Sequence, residues 1–207
     1  MHIAIIGMGN IGSALGQRFA ESYPVIFCVR DPQDPKKSAK DEEMKASIGP
    51  MAAASKADVV VLAVPWPAVP EALAAAGDLT GKILLDCTNP VTKELTELTL
   101  GFDKSAGEIV ANLAPLAKVV KIFNTNGAKN MTDPAYPPQK ATMLYAGNDR
   151  QANEIAAGLA AKIGFEPVYL GPLHEARLLE PLAMAWIVLA RQRGLGKDFA
   201  LNVVRRG

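Results

Sequence analysis

Histidine and cysteine are scarce in this chain, at two residues each among 207. With so few, no His/Cys spacing can hold a metal, and none is expected. Cys28 and Cys87 both fall in apolar segments that read as strand ends, where a thiol behaves as a small buried hydrophobe and not as a disulfide partner. Surplus charge of one sign is also missing. A net charge of +1 argues against a nucleic-acid partner and offers no polybasic membrane patch. Long hydrophobic runs are absent too. The longest strong apolar stretch, residues 182–190, is too short to span a bilayer. The first strand begins at His2, which leaves no room for a signal peptide, so a cytoplasmic protein is expected. What remains is an ordinary globular composition, 49% hydrophobic and 21% charged, long enough for one domain with a small appendage.

The most informative stretch is Ile3 to Gly12, I-A-I-I-G-M-G-N-I-G. An apolar strand breaks directly into Gly7-Met8-Gly9-Asn10-Ile11-Gly12, and a helical pattern follows from Ser13 to Phe19. Strand, GxGxxG and helix in that order form the dinucleotide-binding fingerprint. Gly7 serves the tight turn, Gly9 lets the backbone approach a pyrophosphate, and Gly12 lets the helix pack closely on the sheet. The helix N-terminus then offers free N–H groups to the phosphates.

Apolar runs alternate with helical patterns along most of the chain. Further strands are expected at residues 25–29, 58–64, 82–86, 119–123, 142–146 and 167–170. Near-continuous apolar strands indicate a parallel sheet covered on both faces. Ser105-Ala106-Gly107-Glu108 is a capping box that opens one helix. Asn148 or Asp149 caps another, which stops at Gly164. The predicted fold is α/β, a doubly wound parallel (Rossmann) sheet over residues 1–171, with a short C-terminal helical segment over 172–207. In that segment Leu178, Leu182, Ala185 and Leu189 mark one stripe, and Leu179, Ala183, Trp186 and Ala190 mark its neighbour. A helix apolar over most of its circumference is buried on more than one side, so it packs on the sheet or on a second copy, and a homodimer is expected. Pro181 is expected to kink or divide it.

The end of the second strand, Cys28-Val29-Arg30-Asp31, lies where this fold chooses its cofactor. Arg30, with Lys36 and Lys37 nearby, suits the extra phosphate of NADP. A one-residue slip would place Asp31 on the ribose hydroxyls of NAD instead. Catalytic acid–base groups are not evident. His174 reads first as a polar residue at a helix start. Tyr136 and Lys140 have the Tyr-x-x-x-Lys spacing of a short-chain dehydrogenase, but Pro137-Pro138 bars the helix that chemistry needs. Three strand-end loops remain: 64–67, 88–91 and 124–128. They offer amides, hydroxyls and backbone, which can orient two rings for direct hydride transfer.

Several segments together resemble the coenzyme-F420-dependent NADP oxidoreductase family. They are A-V-P-W at Ala63–Trp66, D-C-T-N-P-V at Asp86–Val91, V-K-I-F-N-T-N-G-A-K-N-M at Val120–Met131 and G-P-L-H-E-A-R-L-L-E-P-L at Gly171–Leu182. The chain also looks like the reductase domain of the STEAP metalloreductases. The resemblance implies that Met8, Gly9, Asn10 and Ile11 line the pyrophosphate, and that Arg30 and Lys36 bind the adenosine phosphate. It implies that Val64, Pro65, Asn89 and Pro90 flank the nicotinamide, with Ala128 nearby. Asn124, Asn126, Gly127, His174 and Arg177 are expected around the acceptor, although Arg177 could equally pair with Glu175 or Glu180. Archaeal members carry a histidine in the fifth-strand loop where this chain has Phe123-Asn124. The expected activity is hydride transfer between NADP(H) and a ring acceptor, F420 or a flavin such as FMN. The alternative is a non-catalytic NADPH-binding redox sensor.

Overall fold

The computed structural model describes residues 1–34 and 46–206. Its centre is an eight-stranded sheet in the order β10-β9-β6-β5-β4-β1-β2-β3. β1 (Ile3–Ile6) lies between β2 (Val25–Val29) and β4 (Val59–Leu62), parallel to both. β3 (Ser47–Pro50) continues the parallel set beyond β2, and β5 (Ile83–Asp86) and β6 (Lys118–Lys121) continue it beyond β4. Alternate residues of β1, β2, β4, β5 and β6 supply two separate cores. Ile3, Ile5 and Phe27 face one side, with Leu15 and Phe19 of α1 (Asn10–Ala20), while Ala4, Ile6 and Leu62 face the other, with Leu73 of α2 (Val69–Ala76). Burial on both faces is why these strands carry no polar alternation.

The doubly wound fold stands as expected from the sequence, with two differences. β3 was not foreseen, because Ser47-Ile48-Gly49-Pro50 is a short, half-exposed edge strand without an apolar run. The last two strands also reverse. β9 (Thr142–Gly147) pairs antiparallel with β6, and β10 (Glu166–Gly171) runs parallel to β9. Between β6 and β9 the chain makes only the short helix α4 (Ala128–Thr132) and a hairpin of β7 (Ala135–Tyr136) and β8 (Gln139–Lys140). A parallel return needs a full crossover. Tyr136 and Lys140 therefore lie on facing strands of a hairpin.

The helix starts follow their caps. α3 (Ala106–Leu113) opens on the complete capping box of Ser105 and Glu108, and α5 (Arg150–Lys162) on Asp149, which accepts from the Ala152 N–H. α6 (Ala176–Arg191) is one helix with Pro181 inside it, so of the two outcomes expected, a kink or a division, the division does not occur. Proline there removes the bond to the carbonyl four residues back and crowds that carbonyl with its ring. The chain after α6 folds back onto its own domain. Trp186 stacks on Phe199 at 5.1 Å, the Asn130 Nδ2 donates to the Phe199 carbonyl at 2.8 Å, and the Thr142 hydroxyl donates to Asn202 Oδ1 at 2.7 Å. Among the described residues, no helix is long and apolar enough to cross a membrane.

Candidate functional site

The first βα turn is shaped by sterics. Gly7 has φ +108°, and a Cβ there would sit 2.7 Å from the Ala63 carbonyl oxygen. A Cβ on Gly12 would collide with the Gly7 carbonyl, whereas one on Gly9 would meet nothing within 4 Å. The middle glycine therefore faces open space at the start of α1, a cradle that any side chain would fill. Among the described residues no side chain caps α1, whose N-cap is Gly9, which leaves its first N–H groups to an anion. Beside this turn, Gly7, Met8, Cys28, Arg30, Val64 and Pro65 share a cavity of about 240 Å³. Burial pushes the Cys28 thiol up to about 11, so it is unreactive wall. Arg30 reaches into solvent, 79% exposed, with Glu71 3.8 Å away. Asp31 accepts from the Gln33 N–H at 2.9 Å, so one of its oxygens already serves the loop. Lys36 and Lys37 lie outside the described residues.

At the carboxyl end of β6 the chain turns through Phe123, buried, with φ 61°. A bulky residue in this left-handed region is strained by about 1–3 kcal/mol, and such strain concentrates at functional sites. The turn brings Asn124 onto the β5 loop. Asn124 Nδ2 donates to Asn89 Oδ1 at 3.0 Å and to the Leu179 carbonyl of α6 at 3.2 Å, and Asn89 Nδ2 donates to the Asn124 carbonyl at 2.9 Å. The Oδ1 of Asn124 is buried without a partner among the described residues, an unused acceptor. Pro90 is held by its carbonyl, which accepts from the Thr99 N–H and hydroxyl. Ala128 lines a groove of about 510 Å³ with Met8, Gly9, Asn10, Lys129 and Lys197, and Met8 also lines the cavity beside Gly7.

Four expected acceptor residues have neighbours within the chain. The Asn126 side chain points inward, donating to the Thr142 carbonyl at 3.3 Å and accepting from Asn130 at 3.2 Å, so it holds β9 and α4 together. Gly127 has ordinary extended backbone, and a Cβ there would lie 2.5 Å from the Trp186 ring. The missing side chain at that glycine seats a tryptophan. His174 sits exposed on the turn after β10, 3.1 Å from Glu175. Because β10 runs opposite to β6, and its end at Gly171 lies beside Ala146 and hence Lys121, His174 is on the far side of Lys121 from Asn124. Arg177 grips Glu108 with two hydrogen bonds of 2.9 and 2.6 Å, and neither Glu175 nor Glu180 is its partner. The Arg177 guanidinium, with Ser105, holds the Glu108 carboxyl down to about 2.

The feature that the sequence reading missed lies beneath these loops. Lys121 is fully buried in β6, with Asp86 of β5 at 3.0 Å and Glu180 of α6 at 2.9 Å. Its third N–H donates to the Thr88 carbonyl. Burial opposes the ammonium, but the Asp86 and Glu180 carboxylates outweigh it and raise its pKa. Asp86 also accepts from the Thr88 N–H and hydroxyl at 2.9 and 2.7 Å. Glu180 caps α3 through the Ala106 and Gly107 N–H groups at 2.9 and 3.1 Å. A lysine inside an otherwise apolar strand, V-V-K-I-F, was the signal available. Among the described residues, no cluster of His, Cys, Asp and Glu could hold a metal.

The F420-dependent NADP reductase of Methanothermobacter thermautotrophicus is 33% identical to this chain, over 95% of this chain and 93% of its own length. The chain belongs to the coenzyme-F420-dependent NADP oxidoreductase family. The model of that family matches residues 2–90, the segment from β1 to the Asn89-Pro90 loop. A crystal structure from Arthrobacter sp. FB24, of a protein whose F420-dependent NADP-reductase activity is itself an inference, superposes with a TM-score of 0.89 at 30% identity, covering 98% of this chain and 99% of that one. The metalloreductase STEAP3 of Rattus norvegicus is 29% identical over 88% of this chain but only 36% of its own length. Membership of the family makes the chain an NADP-dependent oxidoreductase. The free α1 N-terminus, the open space at Gly9 and the unused Asn124 acceptor all fit a dinucleotide.

Proposed function

We propose that the protein transfers a hydride between NADP(H) and a planar ring acceptor, the deazaflavin F420 or a flavin such as FMN. The observation that carries this reading is the state of the ionisable groups near the strand ends. Lys121, Asp86 and Glu180 are buried and paired with one another, and the polar groups above them are the amides and hydroxyls of the 88–91 and 124–128 loops. Such a site positions rings and does little proton transfer. Bound NADPH supplies the hydride from its dihydronicotinamide, leaving NADP⁺, while the acceptor takes the hydride and then a proton from water. The chain's part is to cradle the pyrophosphate at Met8, Gly9, Asn10 and Ile11, to pair the adenosine phosphate with Arg30, and to orient the nicotinamide between Val64-Pro65 and Asn89-Pro90. The test is NADPH oxidation by purified protein across F420, FMN, FAD, riboflavin and ferric chelates. Turnover with a ring acceptor supports the reading. Tight NADPH binding with no turnover would favour a redox sensor.

A homodimer on α6 belongs to the same proposal. Leu178 and Leu189 stand exposed on one stripe of this helix, an apolar face that a second copy would cover. Trp186 is not on that face, being 8% exposed against its own chain's Phe199. Leu178→Glu should therefore shift sedimentation from dimer to monomer, and a wild type that is already monomeric at micromolar concentration refutes the dimer.

A further inference from the structure

Segment 87–105, between β5 and α3, is longer than ordinary connections, and among the described residues its only ladder contact is an isolated bridge of Val91 with Leu98. Irregular connections of more than about 12–15 residues are commonly functional. Both ends of this one meet the same buried charge cluster. At its entry, Lys121 holds the Thr88 carbonyl, and Asp86 holds the Thr88 N–H and hydroxyl. At its exit, Glu180 takes the Ala106 and Gly107 N–H groups. The two ends are joined by one ion pair, Lys121 Nζ to Glu180 Oε1 at 2.9 Å. That pair also ties β6 to α6, whose Leu179 carbonyl accepts from Asn124.

We infer that Lys121 and Glu180 are positioning residues for hydride transfer: their ion pair locks entry and exit of segment 87–105 to α6 and so fixes the gap in which the acceptor ring meets the nicotinamide. The inference rests on the function proposed above. Neither side chain is exposed to a ligand. Each acts through backbone that it holds, Lys121 on the loop carrying Asn89-Pro90 and Glu180 on the first turn of α3. Three acceptors surround one ammonium, so every proton of Lys121 is used. Glu180 in turn lies between that ammonium and the positive end of α3. A cap alone would need Glu180 but not a fully buried lysine at the end of β6. A buried charge paired this way costs desolvation and is weak evidence for stability, while it can specify one arrangement of the elements it joins.

Two variants test the coupling in the NADP⁺-bound protein. Glu180→Gln keeps the side chain's volume and leaves Lys121 paired with Asp86. Lys121→Met/Glu180→Gln cuts both links while retaining the native cluster's single net negative charge, and serves if the first variant folds poorly. Amide hydrogen exchange is the first readout. Losing a charged hydrogen bond should accelerate exchange roughly 10-fold or more, both at 106–107 and at 88–91 on the far end of the loop. The second readout is stopped-flow hydride transfer from NADPH to FMN and to F420, with NADP⁺ affinity measured separately. Transfer should fall roughly 10-fold or more, while NADP⁺ affinity changes by less than about threefold. Faster exchange confined to 106–107 would reduce Glu180 to a local cap and overturn the inference. So would a transfer loss that merely follows lost NADP⁺ binding. If the wild type binds NADP⁺ yet reduces neither acceptor, the functional reading fails, and exchange at the two loop ends still decides the coupling.

Discussion

Gly127→Ala isolates a single contact. The glycine's φ of −72° and ψ of 160° suit alanine, so backbone strain plays no part, and the loss of unfolded-state freedom would by itself stabilise by about 0.4–1 kcal/mol. Against this, the new methyl would lie 2.5 Å from Trp186 Cη2 and 2.8 Å from Cζ2. The ring cannot simply swing aside. Its Nε1 donates to the Phe199 carbonyl at 3.2 Å, and its face stacks on the Phe199 ring. Overpacking of this kind costs about 1–3 kcal/mol, so the net loss is about 0–2.6 kcal/mol, or a fall in Tm of up to roughly 10 °C for a chain of this size. Calorimetric melts of Gly127→Ala, Trp186→Phe and the double variant decide the cause. Phenylalanine lacks the two clashing atoms, so Gly127→Ala should be neutral or stabilising in that background, with a coupling of about 1–3 kcal/mol. Equal losses in both backgrounds would refute the Trp186 explanation. An unchanged Tm with impaired hydride transfer would mean that the glycine makes room for a ligand.

Arg30→Ala should weaken NADPH binding roughly 10- to 100-fold, the worth of a charge-assisted bond to phosphate, and leave NADH affinity unchanged; equal affinity of the wild type for both cofactors, by titration, would remove Arg30 from the phosphate site. His174→Ala should cost far less than the roughly 100- to 10,000-fold loss of a general acid–base group, since the side chain is on the far side of Lys121 from Asn124; stopped-flow rates check this. The Glu108–Arg177 pair makes stability acid-sensitive. The folded carboxyl at about 2 lies below its ordinary 4.5, so the pair's contribution is complete above pH 4.5 and fades as pH falls toward 2. The Tm difference between wild type and Arg177→Gln should shrink across that window, and a difference that persists at pH 2 contradicts the assignment.

Local signals carried the fold. Gly7, Gly9 and Gly12 act through backbone geometry within one turn, and the Ser105/Glu108 box and Asp149 cap act within three residues, so each was legible from sequence. Strand direction was not local. Apolar runs at 142–146 and 167–170 look alike in either orientation, and only the short path through α4 and a hairpin reverses them. The site divides in the same way. The loops bearing Asn89 and Asn124 could be placed at strand ends from the pattern alone. Roles that depend on distant partners could not. Arg177 found Glu108, 69 positions away, Gly127 was fixed by Trp186, and Lys121 joined Asp86 to Glu180 across three elements.

The central claim is hydride transfer between positioned rings. Its most direct test is an anaerobic single turnover of the wild type with NADPH and with NADPH deuterated at the transferring position of C4, using F420 and then FMN as acceptor. The account predicts that at least one acceptor is reduced as NADPH is oxidised, with slower transfer from the deuterated cofactor and, for F420, deuterium retained in the reduced ring. NADPH bound at the Gly7–Gly12 turn with neither acceptor reduced would contradict it.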